Sequence, residues 1–291
     1  MASRTAHSSL STGGPLAGGS SLTSPLAGVV GAAREVWAYR DLLLNLVRRD
    51  LAVRYKRSAL GFVWSFLNPL LMMLVFTIVF MVVKSTSVRS YPLFVLCGLL
   101  PWTFLAGSLS GAARSITANA NLIDKVHFPR EVLPLAVVLA NFVHFLLSLV
   151  VFIPIALLLG ARFTPWTLAL PAIIGVQLLV VTGLALLLAA LNVFYRDTEL
   201  VLDVALLAWF FLTPIFYELE LLPNRVLGID VWRFVYSLNP MATLVTDYRY
   251  ILLYEYPVIR HTLVSLLQGL LLLGAGWAFF RRAAPSFAEE V

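Results

Sequence analysis

Long apolar runs separated by short polar ones make up most of the chain. They lie at about residues 62–83, 91–113, 132–159, 167–194, 200–216 and 262–280. A bilayer crossing takes about 20 predominantly apolar residues, so the pattern predicts an all-α, polytopic membrane protein with six transmembrane helices. Asn68-Pro69, near the start of the first run, is expected to bend it or break its first turns. The third and fourth runs read as a hairpin around Gly160 to Pro165. The polar turn Tyr195-Arg196-Asp197-Thr198-Glu199 then returns the chain into the fifth.

The flanking segments follow other patterns. Residues 1–30 are rich in Ser, Gly, Thr and Ala, with no continuous apolar core, and are expected to form a disordered cytoplasmic tail. Over 31–58, Val36, Tyr39, Leu43, Leu46, Val47 and Leu51 share one side of a helical wheel, and Asp41, Asn45, Arg48, Arg49 and Lys56 share the other. That stripe predicts an amphipathic helix in the headgroup region, although Arg40, Asp50 and Arg54 interrupt it, and a helix packed on the protein's own surface fits too. The membrane domain is expected over 59–281, with a short cytoplasmic tail at 282–291.

Two further segments are too polar for lipid and too apolar for free loops. Arg114 to Arg130 is rich in Ala, Ser, Thr and Asn and stops at Pro129. The stretch between the fifth and sixth runs mixes Glu218, Glu220, Asp230, Asp247 and Glu255 with Trp232, Phe234, Leu244, Ile251 and Leu252. Within it, Asn239-Pro240 reads as an N-cap followed by proline at the first helical position, opening a helix to about Tyr254. A re-entrant helical pair fits this segment best.

Composition narrows the picture further. The 291 residues are 60% apolar and 12% charged, with mean hydropathy +0.89, which no water-soluble domain tolerates. The net charge of +6 does not indicate nucleic acid, because Lys and Arg flank apolar runs instead of forming a basic domain. Fourteen lie on the side of the termini and seven on the other, so both termini are expected in the cytoplasm. The single cysteine, Cys97, rules out an intrachain disulfide framework and a cysteine metal cluster. None of the three lysines, Lys56, Lys84 and Lys125, follows a glycine, and no phosphate-cradling glycine loop is present. Any ATP hydrolysis must occur in another chain.

Five separated motifs then carry a family resemblance. They are Arg54-Tyr55-Lys56-Arg57-Ser58-Ala59-Leu60-Gly61 leading to Trp64 and Leu67-Asn68-Pro69-Leu70; Gly98-Leu99-Leu100-Pro101-Trp102; Asn119-Ala120-Asn121-Leu122-Ile123 with Phe128-Pro129-Arg130-Glu131; Asn192-Val193-Phe194-Tyr195-Arg196-Asp197; and Leu238-Asn239-Pro240-Met241. From about residue 35 onward the chain resembles the ABC-2 type permeases of polysaccharide exporters. The resemblance implies a homodimer of six-span subunits in the cytoplasmic membrane, paired with two copies of a separate ATPase that binds ATP and magnesium. It also implies a substrate that is a polyprenyl-pyrophosphate-linked glycan, such as O-antigen, capsule, teichoic acid or galactan. The Ser/Gly-rich extension departs from the family pattern.

Site residues follow under that resemblance. Ile116, Ala120, Asn121, Ile123, Asp124, Lys125 and Arg130, with Arg196 and Asp197, are candidates for transmitting force from the ATPase, and Ile116, Ala120 and Ile123 share a face suited to a cleft on the partner. Without the resemblance these segments read equally as plain loops. Arg48, Arg49, Arg54, Lys56 and Arg57 suit a lipid-linked pyrophosphate; topology signalling and binding of anionic membrane lipids is the competing reading. Trp64, Trp102, Phe142, Phe145, Trp209, Phe210 and Phe211 are candidates for a sugar-stacking channel or for ordinary packing. Phe216, Tyr217, Trp232, Asn239 and Pro240 surround the re-entrant segment as a candidate outer gate. Asn141, His144 and Gln177 are polar groups at membrane depth, facing either a cavity or neighbouring helices, and Asp203, near the cytoplasmic end of its span, either faces a cavity or snorkels to the interface. Catalytic and metal roles are not expected: a membrane glycosyltransferase would need clustered acids, and no D-x-D or D-D-x-x-D occurs. An ABC-2 permease for a drug or small lipid is the nearer alternative.

Overall fold

A short helical turn at 34–38 leads into α1 (Arg40–Tyr55), the first of a series of helices. In this computed structural model the described residues are 34–55, 63–83, 91–126, 128–161, 164–218, 225–226, 229–254 and 259–290. The remaining elements in chain order are α2 (Trp64–Val83), α3 (Tyr91–Ala113), α4 (Ala120–Lys125), α5 (Val132–Leu158), α6 (Leu170–Phe194), α7 (Thr198–Leu212), α8 (Val231–Leu238), α9 (Pro240–Leu252), α10 (Ile259–Ala283) and α11 (Phe287–Glu290). A two-residue antiparallel ladder, Arg225–Val226 with Ile229–Asp230, precedes α8. The expected tail at 1–30 lies outside the described residues.

Among the described residues four segments are long and apolar enough to cross a membrane: Tyr91–Ala113, Val132–Leu158, Pro165–Phe194 and His261–Ser286. Among the described residues of α2, only the shorter stretch Pro69–Val79 qualifies as apolar, and α7 has 15 residues. At 1.5 Å per residue α7 covers about 22 Å, short of the roughly 30 Å hydrocarbon core. The bundle wears its oil outside. Val150, Leu158, Leu168, Leu200, Val204, Leu207 and Leu271 all lie exposed on helix surfaces, which suits lipid and not water.

Helix α3 forms the axis, buried along most of its length and packed against α2, α5, α6, α7 and α9. Helices α6 and α10 run backbone to backbone. A Cβ on Gly276 would overlap the Gly183 carbonyl, and one on Gly183 would overlap the backbone of Leu272 and Leu273. Without a hydrophobic force between helices in lipid, such glycines let main chains approach closely enough for dispersion to hold them. Helix α5 ends at Gly160, whose φ of +88° permits the closing turn: Gly160 N–H donates to the Leu157 carbonyl and Ala161 N–H to the Ala156 carbonyl.

The apolar stripe of α1 meets protein. Leu46 and Val47, with Val36 from the preceding turn, are buried in a cluster with Val132, Leu133, Ala136 and Phe280, while Tyr39 is exposed. Part of the stripe thus packs on the apolar wall at the start of α5, the second of the two readings its pattern allows.

Candidate functional site

Chemistry-bearing side chains gather at the two ends of α7. At its start, Arg114 Nη1 lies 4.0 Å from Glu199 Oε2, joining the end of α3 to the 195–199 turn. Arg49 donates from Nη1 to Asn119 Oδ1 at 3.1 Å and pairs with Asp50 at 3.1 Å, tying α1 to the segment before α4. On the far side of this end, Arg281 of α10 donates to Glu131 Oε1 at 3.2 Å and to Glu35 Oε2 at 2.9 Å. A cavity of about 260 Å³ opens there, lined by both pairs, Arg130 and Pro129. Arg130 also stands over the Phe287 ring at 5.8 Å.

This arrangement redistributes the candidate coupling residues. Ile116 is 0% exposed and Ile123 9%, both inside the cluster that holds Leu46, Val132 and Phe280. They cannot be the surface that a partner touches. The helical repeat placed them correctly on one face, and that face closes the subunit's own core. The outward side consists of Thr117, Ala118, Asn121, Lys125 and Val126, beside the exposed Arg196 and Asp197; Ala120 is half-buried. The Asp124 side chain lies outside the described residues. Of the basic cluster, Arg48 is exposed and Arg49 is engaged as above, while Lys56, Arg57 and the Arg54 side chain lie outside the described residues.

Towards the other end of α7 the aromatic residues form a continuous girdle. Trp102 meets Trp209 at 5.9 Å and Phe210 at 5.5 Å between ring centres. Phe210 meets Phe211 and Phe216, Phe216 meets Tyr217, and Phe76 of α2 stacks on Phe216 at 5.3 Å. Edge-on and offset ring pairs of this kind add stabilisation beyond buried area. Phe142 and Phe145 do not join it. They pack with Phe104 at 5.8 and 5.3 Å, and Phe145, 2% exposed, also abuts Tyr248. Phe145 is interior packing, which corrects its candidacy for a channel wall. The side chains of Trp64 and Trp232 lie outside the described residues.

Asn239 is the joint below the girdle. Its Oδ1 accepts from the backbone N–H of Met241 and Ala242, as the N-cap of α9 expected from Asn239-Pro240. The same oxygen accepts from Trp209 Nε1 at 2.8 Å, and Nδ2 donates to Thr213 Oγ1 at 3.1 Å. Pro240 is buried at the first helical position and Asn239 is half-buried.

Gln177 and Asn141 bond to neighbouring helices. Gln177 Nε2 donates to the Pro101 carbonyl at 2.8 Å and its Oε1 accepts from the Tyr248 hydroxyl at 2.7 Å. Asn141 donates to the Val137 carbonyl at 2.9 Å and, at 3.4 Å, to that of Gly107. Asp203 is exposed on α7. Asp247, 2% exposed, accepts from Thr262 at 2.9 Å.

One residue escaped sequence reasoning. Arg249 is 4% exposed, donating from Nη1 to the Pro214 carbonyl and from Nη2 to that of Ile215, both at 2.6 Å, with its guanidinium 3.5 Å from the Phe94 ring centre. The available signal was an arginine two residues after Asp247 in a short helix before the last span. Among the described residues no group of three or more His, Cys, Asp or Glu is placed to hold a metal.

Membrane-length helices, an apolar exterior, two short helices before the last span, the second of them buried, and a laced polar end mark a multi-pass membrane protein. The chain belongs to the ABC-2 type transporter family, whose model matches residues 41–253. It is 36% identical over 264 residues to the O-antigen export system permease protein RfbA of Myxococcus xanthus, covering 89% of this chain and 98% of that one. It is 32% identical to a protein of the same name from Klebsiella pneumoniae, covering 86% and 94%. The polysialic acid transport protein KpsM of Escherichia coli is 23% identical over 69% of this chain and 76% of its own.

Proposed function

We propose that this chain is the membrane subunit of an exporter that moves a lipid-linked, O-antigen-like polysaccharide across the cytoplasmic membrane. The observation that carries the reading is likeness to O-antigen export permeases along nearly their full length. Two subunits pair with two copies of a separate ATPase that binds ATP and magnesium. Each crosses six times, α2 and α7 serving as first and fifth spans, α8 and α9 as a re-entrant pair, and both termini in the cytoplasm. The Lys and Arg distribution supports that orientation.

Three features of the geometry fit the reading. The exposed side of 117–126 and the 195–199 turn stand together at the same end as α1, where an ATPase would push. Arg48 remains exposed beside them and suits a polyprenyl-linked pyrophosphate. The Trp209–Phe210–Phe211–Phe216 girdle, anchored on the buried Trp102, stands at the opposite end and suits sugar stacking and an outer gate. The experiment is purification of the permease with its ATPase and mass spectrometry of the co-extracted lipid. A lipid-linked glycan is expected, released by ATP in reconstituted vesicles. Recovery of a drug-like molecule or a simple lipid alone would overturn the reading.

A further inference from the structure

Helix α7 ends with Phe211 and Leu212 exposed and Thr213 to Ile215 buried, and in a membrane its carbonyls and those of the next turn must find donors within the protein. The accounting is complete. The Trp209 and Phe210 carbonyls accept from Thr213 N–H, that of Phe211 from the Tyr217 hydroxyl, and that of Leu212 from Asn239 Nδ2 at 3.4 Å. The Thr213 carbonyl accepts from Ile215 N–H. Arg249 serves those of Pro214 and Ile215, and the Tyr91 hydroxyl serves that of Phe216 at 2.7 Å.

Two of these carbonyls fall to one cation. Arg249 is not among the ion pairs of the described residues; its charge is met by main-chain oxygens, including that of Phe94 at 3.3 Å, and by the face of the Phe94 ring. Burying a guanidinium on such terms is costly unless the geometry is good, and a planar fork with two short parallel bonds supplies it. The fork springs from α9, the carbonyls belong to the break after α7, and the ring belongs to α3. Gly98 leaves the room: a Cβ there would lie 3.2 Å from both Arg249 Nη2 and Ile215 Cα.

We propose that Arg249 is the positioning residue of the outer gate, locking the 213–216 break to α9 so that Phe216 and the girdle stay shut at rest and move with α9 when the gate opens. This rests on the girdle being the gate. Phe216 is the ring that the break carries, stacked on Phe76 and touching Phe210, Phe211 and Tyr217. Losing the fork would free its backbone on one side and leave Tyr91 as its remaining tie to α3.

The test measures potassium efflux from vesicles holding the permease with its ATPase, without nucleotide, for wild type, Phe216→Ala, Arg249→Gln, Arg249→Lys and Gly98→Ala. Phe216→Ala and Arg249→Gln are expected to leak about tenfold faster than wild type, a shift of about 1.4 kcal/mol in the closed-state equilibrium. Arg249→Lys keeps the charge and can reach one carbonyl, so it is expected to leak less than Arg249→Gln. A tight Arg249→Gln beside a leaking Phe216→Ala overturns the proposal and leaves the gate standing. A tight Phe216→Ala overturns both. Arg249→Lys leaking as fast as Arg249→Gln overturns the bonding account. If Arg249→Gln fails to assemble, Gly98→Ala, which displaces the same fork without removing it, decides: leak supports the proposal and tightness overturns it.

Discussion

The indole N–H of Trp209 donates to Asn239 Oδ1 at 2.8 Å, so the last turn of α7 and the first of α9 share one amide. Asn239→Ala removes a helix cap and the donors to Leu212 and Thr213 together, an expected loss of about 2–3 kcal/mol. Asn239→Asp keeps the acceptor and loses the donors, and is expected to fall between. Thermal unfolding of the purified complex checks the order: wild type, Asp, then Ala.

The glycine crossing of α6 and α10 admits no side chain. Gly276→Val forces the backbones apart, and overpacking of this kind costs about 1–3 kcal/mol or more. Gly274→Val, two residues earlier on the opposite face with open space around it, is the control. A large drop in folded yield for the first and little for the second is expected by size-exclusion in detergent.

Removing Arg281 leaves Glu131 buried and without that partner, whereas removing Glu35 spoils only an exposed pair. Arg281→Gln is expected to destabilise by about 1–3 kcal/mol and Glu35→Gln by no more than about 1 kcal/mol. Adding Glu131→Gln to Arg281→Gln is expected to restore much of the loss, which melting of the double variant measures.

Ile123→Asp puts a carboxylate into the subunit's own core, so the expected result is a poorly folded permease. Lys125→Glu and Asn121→Arg change the exposed side of the same short helix. They are expected to leave the permease folded and reduce the ATPase recovered with it, as measured by the ratio of the two chains after affinity purification.

Element positions were legible because apolar runs in lipid are long and their ends are polar or proline-marked. The expected start at 132 and end at 194 match α5 and α6, and Asn239-Pro240 opens α9 as its chemistry requires. Facing was harder to read. Helix α3 is apolar almost throughout, so nothing in its pattern separates lipid from protein. Ile116 and Ile123 announced a common face without saying what it would meet, and Phe145 looks no different in sequence from Phe210. The partners of Arg249 were harder still to read: they are main-chain carbonyls at 94, 214 and 215, which leave no trace in side-chain identity.

The break after α7 also bears on inheritance. Its side-chain donors sit at 91, 217, 239 and 249, and no two of them share an oxygen. A lineage that loses one of them exposes a bare carbonyl to oil and gains nothing until the turn itself is rebuilt. These positions are therefore expected to pass between descendants as a set, and to change together where they change at all.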